Sequence, residues 1–217
     1  MPLIVVSAGI ERSGSTWLFN VLRYAFLNAG LRTYGESFGC HDSRVDADAC
    51  VLKTHFFDSD LQSESSFIFT SYRDLRDIAA SLVRRDCIAN NSDAVGEAVR
   101  ELIEFQYKPW KTYSSYVFKY EEMIENRLGT VQRILDVLGL HSVDSRQVLR
   151  DVELLKLTVT ANMDRTSMLF PGHITDGRAY SYAETLSSES IAVIEDIAGS
   201  WLLDHGYQLS YDRLPGQ

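Results

Sequence analysis

Apolar residues recur along this chain with two alternating periods. Short runs rich in β-branched and aromatic residues at 3–8, 50–53, 66–72 and 116–119 predict strands. Between and after them the spacing turns helical. Leu18, Leu22, Ala25 and Phe26 form one stripe, with Gly30 as its stop signal. Ile78, Leu82 and Val83 form a second, and Val95, Val99, Leu102, Ile103 and Gln106 a third. Val131, Ile134, Leu135 and Leu138 follow, ended by Gly139, and then Val148, Val152 and Leu155. The last stripe carries Ile191, Ile194, Ile197, Ala198, Trp201 and Leu202, and Ser187 or Ser188 is placed to cap its start.

Strands alternating with helices predict an α/β fold with a central, mainly parallel sheet flanked by helices in three layers. Residues 158–182 have no clear period and hold Pro171, Gly172 and Gly177, so they read as a long loop of the kind that often carries function. The 217 residues show no repeat, low-complexity tract or linker, and a single domain over 1–217 is expected.

Composition narrows the function classes. Lys and Arg number 21 against 30 Asp and Glu, a net charge of −9, which argues against sequence-independent nucleic-acid binding. An anionic ligand therefore needs a local cationic, amide-lined pocket. Three cysteines, Cys40, Cys50 and Cys87, do not make a disulfide framework. Cys40, His41, Cys50 and His55 fit no common zinc spacing, so no metal is expected. The apolar stretch 3–10 is too short to cross a bilayer and lacks a basic flank, so no membrane partner and a cytoplasmic location are expected.

The first candidate site follows the first strand. Residues 9–16 read G-I-E-R-S-G-S-T and lead into a helix. The frame is that of a phosphate-binding loop, G-x-x-x-x-G-K-[ST], but Ser15 stands where the lysine for terminal phosphates belongs. Small residues let backbone amides approach a phosphate, and the helix start adds unpaired N–H groups and a favourable dipole. A P-loop-like site that holds a phosphate is expected, with Arg12 as its cation. A plain Gly/Ser turn has the same local sequence.

Two further strand ends carry chemistry. Lys53-Thr54-His55 puts a histidine at the crevice where α/β folds bind ligands, able to act as a base near neutral pH; a structural histidine is the alternative. Arg73 follows the third predicted strand, and Ser81 lies two helical turns later. An amphipathic helix with a solvated charged face is the other reading of that segment.

Taken together, these motifs resemble the sulfotransferases that use 3′-phosphoadenosine-5′-phosphosulfate (PAPS), especially the cytosolic type. Arg12-Ser13-Gly14-Ser15-Thr16-Trp17 is similar to the family's K-S-G-T-T-W loop, and relatives carry R-S-G-[ST]-T. Lys53-Thr54-His55 resembles its K-T-H, whose histidine is the catalytic base, and Arg73 with Ser81 keeps the R-x7-S spacing that binds the 3′-phosphate. Tyr120 falls in a segment resembling Y-E-D-M, whose tyrosine approaches the adenine. Gly172-His173-Ile174 and Gly177, followed by Tyr182-Ala183-Glu184-Thr185-Leu186, resemble the late loop over the 3′-phosphate, with His173 or Arg178 as the candidate cation there. Glu11 replaces the family's proline, Arg12 its lysine, and no R-K-G triplet is present in the late loop.

The resemblance implies a PAPS-dependent transferase moving a sulfuryl group to a hydroxyl or amine by in-line transfer. In that reading His55, Arg12 and Lys53 are catalytic. Ser13, Gly14, Ser15, Thr16, Trp17, Arg73, Ser81, Tyr120, Gly172 and His173 join Arg12 in binding PAPS. The acceptor is a small molecule or glycan, and a homodimer is compatible with the chain. Phe38, Phe56, Phe57, Tyr107, Trp110 and Tyr113 are candidates either for an aromatic acceptor pocket or for plain core. A P-loop small-molecule kinase and a non-catalytic nucleotide-binding module are the competing readings.

Overall fold

A computed structural model of the protein describes residues 2–40, 45–158, 164, 166–169 and 177–210. The chain forms two compact units, one of residues 1–72 with 105–174 and one of residues 73–104 with 175–217.

The first unit is built on a parallel sheet. Its strands are β1 (Leu3–Ser7), β2 (Thr33–Ser37), β3 (Ala49–Lys53), β4 (Phe67–Tyr72) and β5 (Tyr116–Lys119), in the order β2-β3-β1-β4-β5. Each neighbouring pair is parallel. Four of these strands match the apolar runs of the sequence. The fifth, β2, is an addition: Thr-Tyr-Gly-Glu-Ser has no alternation to read, because at the sheet edge none of its residues is buried. Gly35 is needed there, since a β-carbon would lie 2.5 Å from Cδ of Arg23.

Strands β3 and β4 flank β1 on opposite sides, so the chain reverses its progress across the sheet at β1. Ligands bind at such a reversal, beyond the carboxyl ends of the strands. Helix α1 (Ser15–Asn28) leaves β1 through the candidate phosphate loop and ends before Gly30, whose φ of 80° is left-handed. Its stripe of Leu18, Leu22, Ala25 and Phe26 is buried with Val5, Val51 and Phe69 in the main core. A second core of Val6, Ala8, Leu52, Leu61, Ile68 and Trp110 includes Leu61 of the short helix α2 (Ser59–Glu64), which Asp58 caps.

The second unit contains α3 (Leu75–Val83), α4 (Ser92–Glu101) and the long C-terminal helix described below. Beyond α4 the sequence pattern predicts continuing α-helix to Gln106. Residues Leu102–Tyr107 instead form a π-helical turn, which leads into α5 (Lys108–Lys111). After β5 come α6 (Tyr120–Glu125), α7 (Arg127–Val137) and α8 (Ser145–Thr158) in the first unit, with Gly139 left-handed after α7. Ser187, one of the two predicted caps, accepts from the Ser190 amide and starts α9 (Ser188–Asp204). Helices α4 and α9 pack closely, and a β-carbon at Gly96 would lie 3.0 Å from Val193.

Candidate functional site

The loop between β1 and α1 is shaped by backbone geometry. Gly9 can carry no side chain, since a β-carbon would stand 1.9 Å from the Ser71 hydroxyl. Arg12 and Gly14 both have left-handed backbones, with φ of 62° and 86°. The conformation suits glycine and costs a residue such as arginine roughly 1–2 kcal/mol, so its surroundings must impose it. They do so from β4 and from within the loop. The Ile10 amide donates to the Ser71 carbonyl at 3.0 Å. The Ser13 hydroxyl, fully buried, bonds the Ile10 carbonyl at 2.5 Å and the Ser71 hydroxyl at 2.7 Å.

Helix α1 then begins without a side-chain cap at Gly14. Its first N–H groups, at Ser15, Thr16 and Trp17, have no acceptor one turn earlier in the helix. Such an uncapped start, with glycine-shaped backbone before it, is suited to an oxyanion. The Ser13 amide is engaged with the Ile10 carbonyl at 3.2 Å, so this serine serves the loop's own shape. Ser15 and Thr16 are buried at the helix start.

His55 and Lys53 are brought to the same loop. The Thr54 amide bonds the Ser7 carbonyl at 3.1 Å, tying the end of β3 to the end of β1. His55 Nδ1 lies 2.6 Å from the Gly9 carbonyl oxygen. A carbonyl only accepts, so Nδ1 carries the proton and Nε2 is the basic nitrogen. Lys53 Nζ stands 3.2 Å from that Nε2. Burial pushes the Lys53 ammonium down to about 8; Glu11 opposes the change and Arg12 adds to it. This ammonium therefore gives up its proton more readily than an ordinary lysine's while staying mainly cationic at neutral pH.

Trp17 and Tyr120 frame the loop on the β5 side. Tyr120 starts α6, and its ring would meet a β-carbon on Gly14 at 3.1 Å. Trp17 packs edge-on against Phe118, and its buried indole N–H has no hydrogen-bond partner among the described residues. Among the aromatic candidates the structure separates two groups. Tyr107 and Trp110 are core, whereas Phe56 and Tyr113 are exposed, and Phe57 bridges by packing on both Trp110 and Tyr113.

The second unit holds Arg73 and Ser81, both buried. Arg73 precedes the Asp74 cap of α3, and Asp77 and Ser81 lie one turn apart on the helix itself. Arg73 pairs with Asp77 at 3.7 Å and donates to the Arg178 carbonyl at 2.6 Å. Asp77 accepts the amides of Tyr180 and Ser181 at 2.6 and 2.9 Å. Burial raises its carboxyl above the usual range, against the opposing charge of Arg73. The end of the predicted late loop is thus fastened to the Arg73 side chain and to α3. Arg178 itself pairs with Glu184. Beneath, the Arg76 guanidinium bonds Asp74 at 2.7 Å and Glu195 at 2.6 Å, linking α3 to α9. Gly172 and His173 lie outside the described residues.

Gln106, Ser71 and Asp77 were not recognised as site residues from sequence alone. A detectable signal existed for Gln106: a buried amide at an apolar position of a helical stripe must find a polar partner. That partner is Glu11 of the loop, whose amide and carboxylate both bond the Gln106 side chain, at 3.0 and 3.2 Å.

Among the described residues, no group of three or more His, Cys, Asp or Glu side chains is arranged to hold a metal ion. No helix of the described chain is long and apolar enough to cross a membrane.

No protein-family model matches the chain, and no curated protein matches it in sequence. Solved structures do match in fold. A mouse sulfotransferase, SULT7A1, complexed with PAP is similar with a TM-score of 0.64 at 14% identity, over 93% of this chain and 83% of that one. Retinol dehydratase in complex with androsterone and the inactive cofactor PAP gives 0.62 at 16% identity, over 97% and 83%. Retinol dehydratase with retinol and PAP gives 0.60 at 16%, over 95% and 82%. The α/β architecture expected from the alternating periods is borne out, and the fold of this chain is the one seen in these PAP-bound sulfotransferase and retinol dehydratase structures.

Proposed function

We propose that this chain is a single-domain sulfotransferase that moves a sulfuryl group from PAPS to the hydroxyl or amine of a small-molecule or glycan acceptor. The observation that carries this reading is the His55 Nδ1 contact with the Gly9 carbonyl at 2.6 Å. The phosphate loop itself orients the imidazole, so the base and the donor's phosphosulfate would be held by one backbone segment. The solved structures bound to PAP have the same fold, which supports the choice of nucleotide.

In the proposed reaction, an acceptor oxygen attacks sulfur as His55 Nε2 takes its proton. The bond from sulfur to the 5′-phosphate oxygen breaks, and adenosine 3′,5′-bisphosphate leaves with that electron pair. Arg12 and the amides of Gly14, Ser15 and Thr16 carry the charge developing on the leaving phosphate. Ser13 keeps the loop in shape for them. Lys53 donates to the sulfuryl oxygens once the acceptor proton occupies Nε2. Trp17 and Tyr120 border the adenine. Arg73 and Ser81 bind the 3′-phosphate on the strength of the R-x7-S spacing, with Gly172 and His173 as the proposed late-loop contribution.

An ATP-dependent reading lacks its terminal-phosphate lysine, since Ser15 stands in that position. Thermal shifts separate the possibilities. Adenosine 3′,5′-bisphosphate should raise the melting temperature without any metal, and ATP with magnesium should do little. A shift with ATP and magnesium alone would transfer the assignment to phosphoryl transfer.

A further inference from the structure

The Gln106 clamp on Glu11 lies outside the motifs that carry the proposed function, on which the following inference rests. Gln106 is buried in the π-helical turn Leu102–Tyr107, an insertion that rotates later residues relative to a regular α-helix. Its carboxamide is spent on one residue. Oε1 accepts the Glu11 amide at 3.0 Å, and Nε2 donates to Glu11 Oε1 at 3.2 Å. Glu11 directly precedes Arg12, whose left-handed backbone the loop must sustain. Glu11 also lies within electrostatic range of Lys53, which contacts the basic nitrogen of His55.

We propose that Gln106 and Glu11 are a positioning pair: Gln106 fixes the Glu11 carboxylate relative to Lys53, and that fixed negative charge keeps Lys53 as the cationic hydrogen-bond donor beside His55. The charged and titratable groups facing Lys53 among the described residues are Glu11, Arg12 and His55. Arg12 repels the ammonium, so without Glu11 the lysine stands half-buried beside a like charge with no counter-charge among them. A neutral Lys53 would still contact His55 Nε2, but it would bring no charge to the sulfuryl oxygens.

The pair separates into two tests. Glu11→Gln keeps an oxygen to accept from Gln106 and an amide to donate to it, and removes only the charge. Gln106→Leu keeps the charge and removes what fixes it. The Lys53 titration is read by NMR of isotopically labelled lysine side chains in the whole protein, with Lys53→Arg assigning the resonance. Glu11→Gln should lower the Lys53 midpoint by about half a pH unit or more. Gln106→Leu should move it in the same direction by less. An unmoved midpoint in Glu11→Gln overturns the charge role. An unmoved midpoint in a folded Gln106→Leu overturns the positioning role of Gln106. If Gln106→Leu does not fold, Gln106→Met in its place carries the same expectation. Calorimetry with adenosine 3′,5′-bisphosphate on the unmutated protein reads the sulfotransferase assignment separately, because the lysine titration uses no nucleotide.

Discussion

The loop after β1 and the Arg73–Ser81 segment are both proposed to hold a phosphate, and they are built in opposite ways. The loop works with backbone: Gly9 has no room for a side chain, Arg12 and Gly14 are left-handed, and α1 starts uncapped. The Arg73–Ser81 segment works with side chains: Asp77 and Ser81 lie one turn apart on α3, and Arg73, just before the helix, is held by Asp77 and the Arg178 carbonyl. The contrast teaches where each is vulnerable. A loop of amides is damaged by changes in shape, and a set of side chains is damaged by loss of a functional group.

The largest effect should come where the loop meets a side chain that does chemistry. His55→Ala is expected to lower turnover by roughly 10²–10⁴-fold, assayed with PAPS against a panel of phenols and amines, with bisphosphate affinity almost unchanged. Equal losses in rate and affinity would make His55 structural and remove the base from the account.

The shape argument is sharpened by Gly9→Ala. Its β-carbon would collide with the Ser71 hydroxyl, and such overpacking costs typically 1–3 kcal/mol. Calorimetric affinity for the bisphosphate should fall by ~10-fold or more. On α3, a small addition at Val83, its one position that is not buried, should leave that affinity intact, and equal sensitivity in both places would break the comparison.

Loss of a functional group should show the reverse pattern. Arg73→Ala is expected to reduce the preference for the bisphosphate over AMP by ~10-fold or more, since a hydrogen bond to a charged group contributes about 1.5–3 kcal/mol. Affinity for AMP should barely change. Arg12→Gly tests both principles at one residue. It relieves the left-handed strain and should raise thermal stability modestly, while turnover falls for want of the cation. A variant that loses stability would show that the φ of 62° carries no strain.

The smallest effect concerns pH. The Lys53 pKa is about 8 in the folded chain against an ordinary 10.5, with burial as the main cause. Between those values the unfolded chain binds the extra proton, so this group makes stability rise with pH across that window. The burial penalty is fully present below about pH 8. Lys53→Met should flatten the rise in denaturant midpoint between pH 8 and 10, and an unchanged slope would assign it to other groups.

The architecture was legible wherever burial imposed a period. Strands β1, β3, β4 and β5 are buried enough to read as apolar runs, and α1, α7 and α9 carry plain stripes with Gly30, Gly139 and Ser187 at the predicted ends. Strand β2 was not legible, because after Thr33 and Tyr34 its Gly35, Glu36 and Ser37 break both alternation and β-propensity at the sheet edge. The π-helical turn was hidden for another reason: Leu102, Ile103 and Gln106 satisfy helical spacing, and only the buried polarity of Gln106 signals a demand from elsewhere. Arg12, Lys53 and His55 were named from motif and strand-end logic. The proton arrangement on His55 was not accessible that way, since it depends on the Gly9 carbonyl, 46 residues distant in sequence.

The central claim is that this protein binds a nucleotide bearing a 3′-phosphate, and one titration tests it most directly. Adenosine 3′,5′-bisphosphate and AMP are compared by calorimetry on the unmutated protein without metal. Two charge-assisted contacts from Arg73 and Ser81 predict a preference of at least ~10²-fold for the bisphosphate, even with imperfect additivity. Equal affinity for the two ligands would contradict the sulfotransferase account.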